Sequence, residues 1–244
     1  MSTEKIYRAV LKTALMFHSR TPIKTHLDIG SGSGELIRML GSNLGVSSSA
    51  CDYTEALMEL PGQKVDKVNL NYEGLPYPDD SFDFVTATEI IEHLVDYRRL
   101  LGEIYRVLRS GGACVLSTPN ILSINSRLRY FWFGFHELFG PLKVGDRSLH
   151  STAGHITPVS FFYLAHALLE KGFSSVSLSF DKYQRSGIAK LLFFLLPMKI
   201  LGGLSYIREV SKYSTIDEGN SNLVKRMNSI GMLAGRTIIV SAVK

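Results

Sequence analysis

Three observations predict one doubly wound α/β domain. First, Thr25-His26-Leu27-Asp28-Ile29 is a short apolar run that enters Gly30-Ser31-Gly32-Ser33-Gly34, after which Glu35 to Leu40 carries a helical period. Strand, tight glycine turn and helix N-terminus form the unit that brings bare backbone N–H groups up to a ligand. Second, strand-like and helix-like segments alternate from there to Phe180, the pattern of a parallel sheet with crossover helices. Third, 244 residues at 45% hydrophobic composition suffice for one core.

Ahead of the turn, Ile6, Tyr7, Val10, Leu11, Ala14, Leu15 and Phe17 recur at helical spacing, which predicts an amphipathic helix ending before Thr21-Pro22. Val46 to Cys51 is the second strand, ending at Asp52. A carboxylate there lies beside the first crossover, within reach of a ribose, or caps a helix over Thr54 to Leu57. Val65 to Asn71 reads as the third strand and Phe82 to Thr88 as the fourth. Thr88-Glu89-Ile90-Ile91-Glu92-His93-Leu94 then leaves the carboxyl end of the fourth strand, the edge at which open α/β sheets hold ligands.

Tyr97 to Arg109 is expected to be helical and stopped by Ser110-Gly111-Gly112, before a fifth strand from Ala113 to Thr118. From Ile121 to His155 the period is lost, while Arg127, Arg129, Tyr130, Phe131, Trp132, Phe133 and Phe135 crowd together. A segment this long between strand and helix is usually functional, so 121–157 is expected to be an acceptor and lid insertion; helical decoration packed by its aromatics is the alternative. A helix over Val159 to Glu170 and a sixth strand over Ser174 to Phe180 follow. In the hydrophobic segment 187–207, only Leu191 to Met198 is uninterrupted, too short to span a bilayer and broken by Pro197. It reads either as an in-plane interfacial helix, with Lys182, Arg185, Lys190, Lys199 and Arg208 near headgroups, or as a core helix. A polar loop over Thr215 to Asn222 and a seventh strand over Arg236 to Val243 complete a single domain over 1–244.

The charges select the ligand. A dinucleotide site turns its helix N-terminus toward a pyrophosphate, which Asp28, two positions before Gly30, would repel, and the spacing is G-x-G-x-G. An NAD-type oxidoreductase is therefore disfavoured, and a ligand bearing an ammonium group suits the acid. Glu89, Glu92 and His93 have metal-ligand chemistry at helical spacing, but a metal would neighbour that cation, so none is expected. The net charge of +5 is spread along the chain without a recognition motif, so no nucleic-acid partner is expected. Cys51 and Cys114 fall in predicted strands, as buried thiols of a reducing compartment do, and Met1 to Arg20 has no uninterrupted apolar core for a cleavable signal. The cytoplasm is expected, with peripheral contact at the inner face of the membrane left open.

Asp28-Ile29-Gly30-Ser31-Gly32-Ser33-Gly34 resembles the first motif of the class I S-adenosylmethionine (SAM) methyltransferases. Leu75-Pro76-Tyr77-Pro78-Asp79-Asp80-Ser81-Phe82-Asp83, the E-x-x-E-H segment from Glu89, Arg106 to Gly112 and Ser117-Thr118-Pro119-Asn120 resemble later segments of its glycan-modifying and ubiquinone-type branches. The resemblance implies a Rossmann-like seven-stranded sheet in the order 3-2-1-4-5-7-6 with an antiparallel last strand at the sheet edge. It implies SAM as cofactor, with Asp28 by the methionine amino group, Gly30, Gly32 and Gly34 along its amino-acid moiety, and Asp52 on the ribose. It also places Tyr53, Asn69 and Leu70 around the adenosine, Asn69 standing where the family has an aspartate, and Thr88, Glu89 and His93 on the pocket floor. Gly154-His155-Ile156-Thr157-Pro158 resembles the segment that folds back over the cofactor. His155, with His93 as alternate, is the expected base, since imidazole is suited to removing a hydroxyl proton near neutral pH. The acceptor expected is a hydroxyl on a sugar or lipid-linked glycan. A ubiquinone-type phenol and a non-catalytic SAM-binding protein are the alternatives, and oligomeric state is not legible.

Overall fold

The computed structural model describes residues 4–143, 145 and 154–244. Seven strands form one sheet: β1 (Thr25–Ile29), β2 (Ser47–Asp52), β3 (Val65–Lys67), β4 (Phe82–Thr88), β5 (Leu108–Pro119), β6 (Ser174–Phe180) and β7 (Thr237–Val243). Their order is β3-β2-β1-β4-β5-β7-β6, with β1 to β5 parallel and β7 antiparallel to both its neighbours. This is the doubly wound, Rossmann-like sheet. The helices are α1 (Glu4–His18), α2 (Glu35–Leu44), α3 (Tyr97–Val107), α4 (Ile124–Phe133), α5 (Phe161–Glu170), α6 (Arg185–Arg208), α7 (Ser221–Arg226) and α8 (Ile230–Ala234).

Two apolar layers cover the sheet. Ile6, Val10 and Ala14 of α1 and Leu36 and Leu40 of α2 pack on Phe84, Val115 and Ile239 on one face. Leu100, Leu101 and Ile104 of α3 and Phe161, Leu164 and Leu168 of α5 pack on Leu27, Val85 and Leu116 on the other. Asp83 ties the lower end together: its Oδ2 accepts from the Lys24 and Thr25 N–H groups and the Thr25 hydroxyl, and its Oδ1 accepts from Arg109 Nη1.

Several sequence expectations are corrected. The last strand does not lie at the edge: β7 is buried on both faces between β5 and β6, and β6, whose serines alternate with apolar residues, is the edge. The third strand stops at Lys67, because Asn69 opens a turn in which its Oδ1 accepts from the Asn71 N–H. α3 stops at Val107 without a glycine cap, and Gly111 and Gly112 sit inside β5 instead. A Cβ at Gly112 would lie 2.8 Å from the Arg109 carbonyl oxygen and 3.1 Å from that of Asp83, so the glycine serves close strand packing. Thr54 to Leu57 form no helix, and α7 begins within the expected polar loop. Pro197 does not break α6, which runs for 24 residues and with the π-turn Glu209–Tyr213 is long and apolar enough to cross a membrane by length and composition. In the expected insertion, Ile124 to Phe133 is helical, while residues 144 and 146–153 lie outside those described.

Candidate functional site

The site opens where β1 meets α2. Gly30, Gly32 and Gly34 all take positive φ, at 71°, 49° and 80°, which lets five residues reverse the chain and start α2 at Glu35. The N–H groups of Gly30 and Ser31 donate to the Cys51 carbonyl, so the turn is moored to β2. A Cβ on Gly30 would meet Ile90 Cδ1 at 2.0 Å, whereas one on Gly32 would meet nothing within 4 Å. Gly30 is thus a packing position, and Gly32 faces open space at the helix N-terminus. Beside it the buried Ser31 hydroxyl has no hydrogen-bond partner among the described residues.

Two buried carboxylates flank the turn. Asp52, at the end of β2, accepts from the Gly32 N–H through Oδ2 and from the Thr54 N–H through Oδ1, at 3.0 and 3.4 Å. Asp28 points into the sheet face under α1 and α2, where its Oδ1 accepts from the Thr86 hydroxyl at 2.7 Å; His26 Nε2 lies 2.8 Å from that same hydroxyl. Burial pushes the Asp28 carboxyl up to about 7; the Thr86 hydroxyl opposes the shift and the neighbouring Asp52 charge adds to it. His26 is driven down to about 3 by burial and is neutral. Asp28 thus precedes the turn at the end of β1 and Asp52 caps it from β2, while nothing in the sequence announced the buried His26–Thr86 support.

Asn69 and Leu70 stand just past β3. Leu70 packs on the core and its carbonyl accepts from Arg99, while the Asn69 N–H is held by Glu73. Tyr53 is half exposed beside Asp52, and Thr88 is buried at the end of β4. Past Thr88 the chain turns sharply, for Glu89 has φ of 57°, a left-handed value rare outside glycine. Ser117 fixes that turn: its hydroxyl accepts from the Glu89 N–H and donates to Glu89 Oε1. Burial raises the Glu89 carboxyl.

The 3-10 turn Ile91–His93 then presents Glu92 and His93 to Gly154 and His155. Glu92 is fully buried and among the described residues neither carboxylate oxygen has a hydrogen-bond partner; Thr118 stands near without completing one. Its backbone carbonyl accepts from the N–H groups of Ile156 and Thr157, which pins residue 155 beside it. The His93 and His155 rings meet edge to face, 4.7 Å apart, and Phe139 walls the other side of His155 at 5.3 Å. Burial pushes Glu92 up and both imidazoles down. The two histidines expected as base and alternate are therefore one cluster, and Glu92 belongs to it. Its E-x-x-E-H setting was legible, but not its burial.

The aromatic helix α4 and the hydrophobic α6 make the outer surface. Between them is an open cavity of about 470 Å³ lined by Asn125, Arg129, Trp132, Phe133, Glu137 and Lys190, which shares no residue with the glycine turn. Leu191, Leu195 and Met198 turn inward onto Ile124 and Leu233. The remaining apolar residues of α6 face outward, and so do Phe131 and Trp132 of α4. The segment is thus neither a core helix nor fully free: one stripe anchors it and a broader apolar face is bare.

An ammonium-bearing adenosyl ligand fits the turn. Asp28 and Asp52 supply the acids, Gly32 the room, and Ser31 an unused hydroxyl. A pyrophosphate between two carboxylates does not fit.

Comparison with known proteins agrees. Residues 27–116 match the family described as "Methyltransferase domain". The chain is 32% identical over 130 residues to the demethylmenaquinone methyltransferase of Listeria welshimeri, covering 46% of this chain and 55% of that protein. It is 32% identical over 121 residues to the ubiquinone/menaquinone biosynthesis C-methyltransferase of Geotalea daltonii, covering 44% and 51%. It spans about half the length of the curated relatives it matches. A SAM-dependent methyltransferase structure from Archaeoglobus fulgidus superposes with a TM-score of 0.60 over 100% of this chain and 95% of that one at 18% identity, a likeness of fold.

Proposed function

We propose that this chain, whose residues 27–116 match the methyltransferase domain family and whose sheet has the class I SAM-dependent methyltransferase fold, transfers a methyl group from SAM to a hydroxylated aromatic ring at a membrane surface. The observation that carries the reading is the glycine turn held between two buried carboxylates, with open space at Gly32. The curated relatives are quinone methyltransferases by name, which supports a quinol-type ring over the sugar hydroxyl expected from the sequence.

The cofactor supplies an electrophilic methyl on a sulfonium. This chain's contribution is to hold donor and acceptor in line and to exclude water. Asp28 is assigned to the ammonium group and Asp52 to the ribose hydroxyls. Gly30, Gly32 and Gly34 are assigned to the amino-acid moiety, Tyr53, Asn69 and Leu70 to the adenosine, and Thr88, Glu89 and His93 to the pocket floor. His155, with His93 beside it, is assigned to activating the acceptor hydroxyl. A phenol ionises near pH 10, far more easily than a sugar hydroxyl, so modest help at the oxygen is enough. The phenolate oxygen or the ring carbon beside it would be the nucleophile, the thioether would be the leaving group, and on carbon the ring proton would also have to be taken up by an imidazole of the pair.

Membrane presentation is supported by the bare faces of α4 and α6, bordered by Arg185, Lys190, Lys199 and Arg208.

Equilibrium binding and product analysis test the reading. SAM and its demethylated product should bind and NAD should not, and Asp52→Ala should weaken SAM at least tenfold. Mass spectrometry should find methyl transfer to vesicle-borne hydroquinones and not to lipid-linked sugars. NAD binding without SAM binding overturns the assignment; methylated sugars alone overturn the acceptor.

A further inference from the structure

We propose that Glu92, His93 and His155 form a binding site for one first-row divalent cation of the Zn²⁺ type. The carboxylate and one ring nitrogen from each histidine lie within 4.8 Å of one another. They are drawn from two segments, His93 and His155 being 62 residues apart, that the Glu92 carbonyl staples together through the Ile156 and Thr157 N–H groups.

Three features separate this cluster from a chance meeting of polar groups. Among the described residues, fully buried Glu92 has no partner for either oxygen, a state that costs several kcal/mol for an ionised carboxylate unless a cation or a proton meets it. Each imidazole has one nitrogen committed to the backbone, and the other has no partner among the described residues. His93 Nδ1 donates to the Gly154 carbonyl at 3.1 Å, which leaves Nε2 as a lone pair, and the His155 ring is held at the Leu138 backbone while its buried Nδ1 has no partner. That is the outer-shell arrangement that orients metal-ligating histidines. Finally, the donor set selects the ion, since two imidazoles and one carboxylate suit Zn²⁺ and its neighbours in the row, whereas Mg²⁺ and Ca²⁺ take oxygen ligands.

Tetrahedral coordination with bonds of about 2.1 Å brings ligand atoms to roughly 3.4 Å from each other. The observed spread asks each side chain to turn inward by about an ångström. Three protein ligands leave a fourth position open, as sites that handle a substrate oxygen do. A metal and a cationic cofactor have separate acids in this fold. Asp28 and Asp52 stand at the glycine turn to meet that charge, while Glu92 lies with Glu89 past the end of β4, so each cation has its own acid. The site itself does not depend on the proposed function. Only its use does: on that reading, the ion takes the acceptor oxygen at the fourth position, and His155 and His93 activate the hydroxyl as ligands of that ion.

The test is titration of the metal-stripped protein with Zn²⁺ against a chromophoric chelator, with metal content after dialysis measured by mass spectrometry. One ion per chain at micromolar affinity or tighter is expected. Glu92→Gln, which keeps the side-chain shape, should weaken binding at least thirtyfold, and His155→Ala should do the same. His166→Gln, on the exposed face of α5, should leave it unchanged. Glu92→Gln should also melt higher than the metal-free parent, because it removes a buried unpaired carboxyl. Far-UV circular dichroism and SAM affinity report that each variant is folded. No stoichiometric Zn²⁺ binding by protein that still binds SAM overturns the metal site and leaves the proposed function standing, as does equal binding by parent and Glu92→Gln. Zn²⁺ bound by a chain that does not bind SAM overturns the function and leaves the site.

Discussion

Replacing Leu192, Phe193, Leu196 and Leu201 by Gln tests the membrane face directly. These side chains are 84%, 79%, 70% and 63% exposed, so the substitutions touch no core contact and should change stability little. Fully burying such a side chain contributes about 1.5–3 kcal/mol, and insertion of roughly half of it at an interface gives about 1 kcal/mol each. Four of them sum to about 4 kcal/mol, close to a thousandfold in partitioning. The choice of positions matters, since Leu191 and Leu195 pack inward and polar groups there would unseat α6. The assay is co-sedimentation with vesicles containing phosphatidylglycerol. The parent should sediment, less so in high salt as the charges around Lys190, Lys199 and Arg208 are screened, and the variant should stay in the supernatant. Equal sedimentation of both proteins refutes the reasoning. If neither sediments and gel filtration shows the variant alone to be monomeric, a second copy of the chain covers the face.

At the glycine turn, two variants should part ways. Gly32→Ala adds a methyl to open space at φ 49°, so it should fold with a loss of about 1–2 kcal/mol and lose SAM affinity, read by calorimetry. Gly30→Ala drives its methyl into Ile90 and should lower the melting temperature as well. SAM affinity should rise with pH from 6 to 8 and level off above, because the Asp28 carboxyl, at about 7 by burial, must be ionised to hold an ammonium; Asp28→Asn should bind weakly and without that slope. Asp83→Asn should cost about 2 kcal/mol in urea unfolding at neutral pH. Burial works against its ionisation, but Arg109 and the Lys24 and Thr25 groups outweigh it and hold it at about 2, below its unfolded 3.8. This contribution is present above pH 3.8 and lost as pH falls through 2, so parent and variant should converge in acid.

The sheet and the cofactor end of the site were legible because their signals are local. Asp28, the three glycines and Asp52 lie where short periodic strands end, and Phe82–Thr88 and Ser174–Phe180 appear with the bounds expected. What escaped depends on long-range packing. Gly112 reads as a helix stop until the Asp83 carbonyl is seen against it, and β7 reads as an edge strand until β6 takes the outer place. Pro197 reads as a breaker, but it sits on the exposed side of an unbroken α6. Glu92 and His155 are distant in sequence, and only the Glu92 carbonyl's grip on 156 and 157 makes them neighbours.

The interior place of β7 also governs when the molecule can close. β5 keeps one hydrogen-bonding edge open, and β6 has no partner strand at all, until Thr237–Val243 is synthesised about 120 residues after β5. Meanwhile α6 emerges with its apolar face bare. A ribosome-bound chain therefore carries an unpaired strand edge and a sticky helix together, the combination that recruits holding chaperones or a nearby bilayer. Maturation should accordingly be slow and cooperative, gated by one late antiparallel strand.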